Sequence, residues 1–405
     1  MNALSSLGLI LLLALLAGHV VQTFRLPEVT GYIIAGVVLG PSVFGWVSQD
    51  NLQTLEIIGE VALGLILFSI GSVFEYSRFA RLGRRVIYLT LMESTLASSI
   101  VFFGILALGQ GWQVAALFGA IAIETAPAST LMVLRELNAK GPLTETLLGI
   151  IAVNNIGAIV AYSLVASVID LTASWSGLPE LLPNLYSAAF PLVWQLLGSI
   201  ALGYLVGILL AGWATHVSEG GELLILLAGS ILLTVGVARL FELSPLIASL
   251  TVGATMANLS QRSRRLFDAL AGTDPPFYAI FFVIAGADLD LSAIPAMGAL
   301  GAVYVVGRLI GKFVGARVGA ARLGLDAPVQ EYLGYAMTTQ AGLAIGLTFA
   351  VSRRYPDYGP VVGTVVLSAV AIYEMIGPVL ARYAIIRAGE AYVEREESGS
   401  IWALE

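Results

Sequence analysis

"AIETAPAST" (Ala122–Thr130) and "AMTTQAGLA" (Ala336–Ala344) are polar segments near the centres of two long apolar runs. A proline inside a membrane helix removes a backbone hydrogen bond, and a glutamate at mid-membrane depth is costly. Both segments therefore predict a helix that is interrupted halfway across a membrane, with free N–H and carbonyl groups at the half-helix ends. The residues at the two interruptions are Glu124, Thr125 and Pro127 in the first segment and Thr338, Thr339 and Gln340 in the second.

The composition of the whole chain is that of a membrane protein. Of its 405 residues, 58% are hydrophobic and only 12% are charged, with a mean hydropathy of +0.89. Soluble domains carry about 25% charged residues. Because apolar runs of about 20 residues recur from end to end, we predict an all-α polytopic membrane protein whose length is used almost entirely by spans.

The sequence also excludes several kinds of site. It has no cysteine for disulfide or thiol chemistry, and its two histidines, His19 and His216, are too isolated for a histidine-based metal site. It contains no phosphate-binding loop, nucleophile elbow or cluster of metal ligands. We therefore expect no enzyme activity, no cofactor and no nucleic-acid partner.

The hydropathy pattern predicts about thirteen spans, with the two interrupted segments in spans 5 and 12. An offset of seven spans is odd, so the two segments have opposite orientations, as an inverted repeat requires. Spans 1–6 and 8–13 are then the repeats, and span 7 connects them. The predicted spans are 3–23, 29–47, 54–74, 86–108, 113–134, 144–171, 187–214, 222–237, 243–260, 266–287, 293–318, 328–352 and 358–382.

Basic residues are concentrated in alternate loops, which predicts the orientation of the chain. The loops on one side contain only three basic residues, Arg239, Arg353 and Arg354. We therefore expect a protein of the cell (inner) membrane with its N-terminus outside and its C-terminus in the cytoplasm. The loops on the predicted cytoplasmic side contain Arg25, Arg78, Arg81, Arg84, Arg85, Arg135, Lys140, Arg262, Arg264, Arg265, Arg317 and Arg322, and Arg382, Arg387 and Arg395 follow the last span.

Span 6 contains "AVNNIGAIVA" (Ala152–Ala161), in which Asn154 and Asn155 are adjacent amides within an apolar run. Amides are costly in hydrocarbon unless something binds them. At about 1.5 Å per residue, they lie about 16 Å from the predicted cytoplasmic end of the span, and Glu124 lies about as deep from the other side. We expect the asparagines and both interruptions to share one level of the membrane.

Span 11 contains two basic residues one helical turn apart, Arg308 and Lys312. Only two of the twenty basic residues are lysines, so a lysine kept within a span indicates that its readily shifted charge is used. The alternative is that both side chains extend to the cytoplasmic surface, near the end of the span.

Four further stretches resemble the cation/proton antiporter superfamily, and most closely its second branch, which includes bacterial Na⁺/H⁺ and K⁺/H⁺ exchangers. The resemblance covers about residues 5–385. It implies a thirteen-helix fold in which a dimerisation scaffold supports a mobile core that carries the ion by an elevator movement. The stretches are "LPEVTGYIIAGVVLGPSVFG" (Leu26–Gly45), "EVALGLILFSIGSVFE" (Glu60–Glu75), "FFVIAGADLDL" (Phe281–Leu291) and "GRLIGKFVGA" (Gly307–Ala316).

The resemblance also implies an ion site at the centre of the core. Where relatives have two adjacent aspartates, this chain has Asn154 and Asn155, while Lys312 and Thr125 match the lysine and threonine that accompany them. A carboxylate can exchange a proton for a cation because protonation removes its charge, but an amide cannot. The usual chemistry therefore needs another carboxylate.

Glu124 is the candidate for that carboxylate, because it lies beside Thr125 and at the depth of the asparagines. We predict that Glu124, Thr125, Asn154 and Asn155 bind a monovalent cation and that Glu124 couples it to protons. Arg308 and Lys312 would balance the charge, and an ion pair between Glu124 and Lys312 is a further role that does not exclude the first.

Three other carboxylates within predicted spans, Glu60, Glu93 and Glu374, are weaker candidates. Glu60 matches a scaffold position that is commonly polar in relatives. Glu93 and Glu374 lie toward the predicted cytoplasmic ends of their spans, where we expect arginines to neutralise them.

The predicted function is antiport of Na⁺ or K⁺ against protons by a homodimer in the lipid bilayer. Because loss of two aspartates makes the site more positive, transport of an anion or small polar solute through Lys312 and Arg308 is an alternative. A non-transporting sensor and an engineered Asp-to-Asn variant are further alternatives. The predicted units are residues 1–85 (scaffold spans 1–3), 86–171 (core spans 4–6), 172–221 (external loop and linker span 7), 222–292 (scaffold spans 8–10), 293–385 (core spans 11–13) and 386–405 (cytoplasmic tail).

Overall fold

The computed structural model describes residues 3–71, 74, 76–173, 181–217, 220–260, 266–267, 270, 275–289 and 291–392. These residues form fifteen α-helices and no strand. The predictions for Arg262, Arg264, Arg265 and Arg395, for residues 174–180 of the external loop and for residues 393–405 of the tail lie outside the described residues. The helices are α1 (Ala3–Thr23), α2 (Glu28–Leu39), α3 (Gln49–Gly71), α4 (Tyr76–Ala107), α5 (Trp112–Ile121), α6 (Pro127–Glu136), α7 (Pro142–Ala173), α8 (Leu181–Ala214), α9 (Gly220–Leu240), α10 (Pro245–Leu259), α11 (Pro275–Ala287), α12 (Gly298–Arg322), α13 (Ala327–Ala336), α14 (Gly342–Arg354) and α15 (Gly359–Arg387).

Both predicted interruptions are present, between α5 and α6 and between α13 and α14. Pro127 occupies the first turn of α6, where its missing N–H removes no helical hydrogen bond. The two interruptions cross: Ala126 N donates to the Thr339 carbonyl oxygen at 3.1 Å, and Thr339 Oγ1 donates to the Ala126 carbonyl oxygen at 3.1 Å. The prediction of two broken, crossing helices is confirmed.

The fifteen helices correspond to the predicted spans when each broken pair is taken as one span. Seven of the described helical segments are long and apolar enough to cross a membrane by themselves, among them most of α1, α7, α12 and α15. Several helices in the described residues are shorter, and the number of thirteen crossings stays a prediction.

One predicted boundary is wrong, and one helix extends beyond its predicted span. Span 2 was expected to continue to residue 47, but α2 ends at Leu39, because Gly40 and Pro41 cannot continue the helix. Span 4 is predicted to begin at residue 86, close to Gly83, where the part of α4 that is apolar enough to cross a membrane begins, but the helix itself begins earlier, at Tyr76. Its early arginines, which we took as loop residues, are good helix formers and lie within the helix. The expected unit boundary at 85/86 therefore falls inside α4.

The same close helix crossing occurs twice, between α2 and α11 and between α10 and α3. A Cβ added at Gly36 of α2 would lie 2.1 Å from the carbonyl oxygen of Val283 in α11. One added at Gly253 of α10 would lie 2.0 Å from the carbonyl oxygen of Phe68 in α3. In an inverted repeat α2 corresponds to α10, and α3 to α11, so each contact is the counterpart of the other.

In the core, glycines of α12 let it pack along α4 with the two backbones close together. A Cβ added at Gly311 would lie 2.3 Å from the Cα of Ala97, and one at Gly315 would lie 2.5 Å from the Cα of Glu93. The face of α12 next to Lys312 is therefore held directly against Glu93 and its neighbours.

We expect Gly311→Ala to lower stability by about 1–3 kcal/mol, because the new methyl group meets backbone atoms that cannot move aside. The measurement is the apparent melting temperature of the purified protein in detergent. Gly229→Ala in α9 is the matched control, since its Cβ would meet no atom within 4 Å. Equal melting temperatures for the two variants would contradict the close packing.

Candidate functional site

Arg308 lies on α12 where the two interrupted helices cross, and its side chain is fully buried. Its guanidinium donates to four backbone carbonyl oxygens, two after the end of α5 and two after the end of α13. These groups are left without helical partners by the interruptions. The acceptors are Ala122 at 3.2 Å, Glu124 at 2.6 Å, Thr338 at 2.8 Å and Thr339 at 3.0 Å.

Lys312, one turn further along α12, is also fully buried. Its Nζ donates to the Ile123 carbonyl oxygen at 2.6 Å and to Thr125 Oγ1 at 2.8 Å, and lies 3.1 Å from Glu93 Oε2. The alternative in which Arg308 and Lys312 extend to the membrane surface is wrong, because the half-helix ends supply their partners inside the core.

Glu93 is the ion-pair partner of Lys312, and this role was not predicted. We expected Glu93 to lie near the surface beside arginines, but it is fully buried. The sequence also allows an ion pair between Lys312 and Glu124, but in the structure Lys312 pairs with Glu93 instead. The cause is the glycine face of α12, which places Lys312 directly against α4.

Asn154 connects α7 to this ion pair. Its Oδ1 accepts from Ser94 Oγ at 2.9 Å, and its Nδ2 donates to Thr125 Oγ1 at 3.2 Å. Ser94 Oγ also lies 3.1 Å from Glu93 Oε1. Glu93, Ser94, Thr125, Asn154 and Lys312 therefore form one buried, hydrogen-bonded set, which we call the polar cluster.

Asn155 faces the other way, toward α3 and α10. It is half-buried, and its Nδ2 donates to the carbonyl oxygens of Ile151 at 2.7 Å and Thr125 at 3.2 Å. It lines a pocket between the core and helices α3 and α10, and it is the polar side chain of that lining. The other lining residues are Leu67, Pro127, Ile151, Ala152, Ile156, Ile159, Leu246, Ile247, Leu250 and Leu343.

Glu124 lies in the first interruption, as predicted, and is fully buried. In the described part of the chain, neither of its carboxyl oxygens has a hydrogen bond of normal geometry. Arg308, Lys312 and the backbone N–H of Ala341, at the N-terminus of α14, are close enough to stabilise its negative charge. Its carboxyl group is therefore held in place by charge rather than by directed hydrogen bonds.

Glu374 on α15 is a third buried carboxyl, with 3% of its surface exposed. Ser129 Oγ donates to its Oε1 at 3.2 Å, and within the described residues its Oε2 has no hydrogen-bond partner. Glu124 is close enough for its negative charge to act on the carboxyl group of Glu374. We expected arginines to neutralise Glu374, and that expectation is wrong, because α15 directs it into the core beside α6.

The polar residues of the second interruption hold the crossing together. Gln340 Nε2 donates to the Ile121 carbonyl oxygen at 3.0 Å and to Tyr304 Oη at 2.9 Å. The hydroxyls of Thr339 and Thr130 are 2.9 Å apart, and Thr338 Oγ1 donates to the Tyr335 carbonyl oxygen. These side chains bond to backbone and to one another, and not to the polar cluster.

A family model for "Sodium/hydrogen exchanger, transmembrane" matches residues 8–382. The chain belongs to this family. It is therefore a multi-pass membrane protein of a transporter family. The more specific assignment to the second branch of the superfamily stays a prediction.

Individual relatives and solved structures agree with this membership. The chain is 24% identical to a Na⁺/H⁺ antiporter of Enterococcus hirae, over 95% of this chain and 98% of that protein. It is 31% identical to the iron transporter MagA of Paramagnetospirillum magneticum, over 38% of this chain and 35% of that protein. Its fold is similar to that of the sodium proton antiporter MjNhaP1 from Methanocaldococcus jannaschii, with a TM-score of 0.74 and 18% identity, over 98% of this chain and 99% of that one.

We expect Arg308→Lys to lower the stability of this exchanger-family protein strongly, although charge is conserved. A lysine has three donors on a flexible stem and cannot reach four carbonyls on two elements, so buried carbonyls lose partners at about 1–3 kcal/mol each. The measurement is thermal unfolding in detergent. Arg239→Lys is the control, because Arg239 is exposed in an ion pair with Glu60, and exposed pairs contribute about 0–1 kcal/mol. A melting temperature for Arg308→Lys as high as that of the control would refute this role.

Proposed function

We propose that the chain is a secondary active antiporter that exchanges a monovalent cation, Na⁺ or K⁺, for protons. The observation that carries the proposal is the balance of buried charge at the crossing. Glu93 pairs with buried Lys312, Glu124 lies close to Lys312 and buried Arg308, and a third buried carboxyl, on Glu374, lies close to Glu124. Among the described residues at the crossing, three buried carboxyls thus face two buried bases. One excess negative charge in the membrane interior is costly. Either one proton or one monovalent cation would neutralise it, which is the alternation that antiport requires.

Glu124 is the carboxyl that we propose for proton coupling. An ionised carboxylate without hydrogen bonds in a buried position is expensive, so a proton or a nearby cation relieves it. Thr125 follows it directly and accepts hydrogen bonds from both Lys312 and Asn154. A change of charge at Glu124 can therefore act on the polar cluster, because a single peptide unit connects Glu124 to Thr125.

Several finer parts of the proposal concern movement and assembly. The core, with α4–α7 and α12–α15, would move against a scaffold of α1–α3 and α9–α11 by an elevator mechanism. The apolar pocket between α7 and α10, with Asn155 on its wall, supports a route to the ion site along that boundary. We further propose a homodimer in the cell membrane, with the N-terminus outside and the C-terminus in the cytoplasm.

The structure supports transport of an anion less well than the sequence alone does. That alternative rests on the loss of two aspartates, which leaves Lys312 and Arg308 in excess. However, Lys312 is paired with Glu93, and Arg308 is surrounded by carbonyl oxygens. Neither base has a free face for an anion, so the geometry favours a cation.

We expect Glu124→Gln to abolish pH-dependent cation exchange, because glutamine keeps the shape of the side chain but cannot bind and release a proton. The measurement is solid-supported-membrane electrophysiology on proteoliposomes, with Na⁺, K⁺, Li⁺ and anion jumps at two pH values.

Glu60→Gln is the matched control for that experiment, because Glu60 lies on α3 in an ion pair with Arg239, away from the crossing. It should keep the exchange of the wild type. Exchange by Glu124→Gln at the wild-type rate would remove Glu124 from proton coupling. Charge movement driven by anions and insensitive to cations would overturn the antiporter proposal itself.

A further inference from the structure

The ammonium group of Lys312 lies among three oxygens from two different elements of the core. They are a carboxylate oxygen of Glu93 at 3.1 Å, the hydroxyl of Thr125 at 2.8 Å and the carbonyl of Ile123 at 2.6 Å. Carboxylate, hydroxyl and carbonyl oxygens are also the ligands that hard cations take in proteins. A lysine ammonium is a compact point charge. The three oxygens that surround it could therefore also bind a small cation.

We propose that this place is the binding site of the transported cation, with Glu93 as its carboxylate ligand, and that the cation replaces the ammonium of Lys312. The inference rests on the proposed function and deepens it, since it assigns the ion to residues on α4 and in the first interruption. Thr125 Oγ1 and the Ile123 carbonyl oxygen are the other ligands that the ammonium would release.

The second observation in favour of a ligand is an oxygen without a directed partner. Glu93 Oε2 is fully buried and has no hydrogen bond of normal geometry in the described part of the chain, although the Lys312 ammonium is within ion-pair distance. The two hydrogen bonds of good geometry that Lys312 makes go to Ile123 and Thr125. Glu93 therefore keeps an acceptor that a cation can use.

The amide of Asn154 fits this assignment as a positioning group. It donates to Thr125 Oγ1, which orients that hydroxyl in the site, and its own oxygen shares the hydroxyl of Ser94 with Glu93. A carboxylate at position 154 would place a second negative charge beside Glu93, at a distance bridged by one hydroxyl group. An amide on α7 and a carboxylate on α4 give the same local net charge as the reverse arrangement.

Displacement of Lys312 is feasible because its neighbour on α12 stays fixed. Arg308 is bonded to four carbonyls of both interruptions. Lys312 is held at one end of a flexible stem by two hydrogen bonds and one ion pair. The displaced ammonium keeps its charge within the core, so the cation adds the one positive charge that offsets the excess negative charge of the three buried carboxyls, while α12 remains in place.

The test measures cation-dependent thermal stabilisation of the purified full-length protein in detergent, titrated with Na⁺, K⁺ and Li⁺. Glu93→Gln removes the carboxylate and should weaken apparent cation affinity by at least about thirtyfold, as expected for loss of a buried charge partner. Lys312→Ala removes the competitor and should strengthen apparent affinity, by about tenfold or more on the same reasoning. A merely structural role for the pair predicts no gain of affinity in Lys312→Ala.

A double variant tests the position of the charge. Glu93→Gln with Asn154→Asp moves the carboxylate back to α7 across the Ser94 hydroxyl, and should restore at least part of the cation response that Glu93→Gln loses. Glu145→Gln is the matched control, since Glu145 is exposed in the first turn of the same helix as Asn154, and it should titrate like the wild type. If Glu93→Gln does not fold, the Lys312→Ala titration decides.

Three results would overturn the inference: an unchanged cation response in Glu93→Gln, a weaker one in Lys312→Ala, or a folded double variant without any response. Proteoliposome transport separates this failure from that of the proposed function. A wild type that exchanges cations for protons, with Glu93→Gln equally active, overturns only the role of Glu93. A wild type that binds cations in the titration but moves no protons overturns antiport and leaves the site.

Discussion

The carbonyl groups at the ends of α5 and α13 are the constraint on which the rest of the core depends. Each interruption leaves carbonyls without helical partners in a place that lipid and protein shield from water, where every unpaired group costs free energy. Arg308 satisfies four of them with one side chain. This single residue therefore fixes α12 between the two interruptions and adds to the hydrogen bonds that the interruptions make directly with each other.

The position of the ion pair between Lys312 and Glu93 follows from that of α12. One turn from Arg308, Lys312 reaches the Ile123 carbonyl oxygen and Thr125. The glycines on the adjoining face remove the side chains that would keep α4 at a distance, so the backbones of α12 and α4 approach until Glu93 meets Lys312. The close packing of α4 on the glycines of α12 thus brings Glu93 and Lys312 together as an ion pair.

The interruptions could be predicted from the sequence because their signals are local: a proline, and polar residues in apolar runs. The level shared by Glu124 and the asparagines follows from counting residues along helices. The partner of Lys312 could not be found this way, because Glu93 is distant in sequence and its identity depends on which helix packs against α12. Glycines at every fourth position beside Lys312 were the available signal, and they indicate a close neighbour without naming it. The helix α4 begins before the predicted span because arginines mark a membrane boundary without ending a helix.

The two asparagines have different surroundings. These surroundings bear on why the carboxyl groups of the core lie on other elements than α7. Asn154 faces the polar cluster, whereas Asn155 faces the apolar pocket between core and scaffold. A charged residue at position 155 would lie against apolar side chains of α3 and α10, and a charge placed there is costly. An amide with both donor bonds satisfied by Ile151 and Thr125 avoids that cost. The buried carboxyls lie on α4, in the first interruption and on α15, away from the wall of this pocket. In the proposed elevator movement, the surface that faces α3 and α10 would therefore stay neutral.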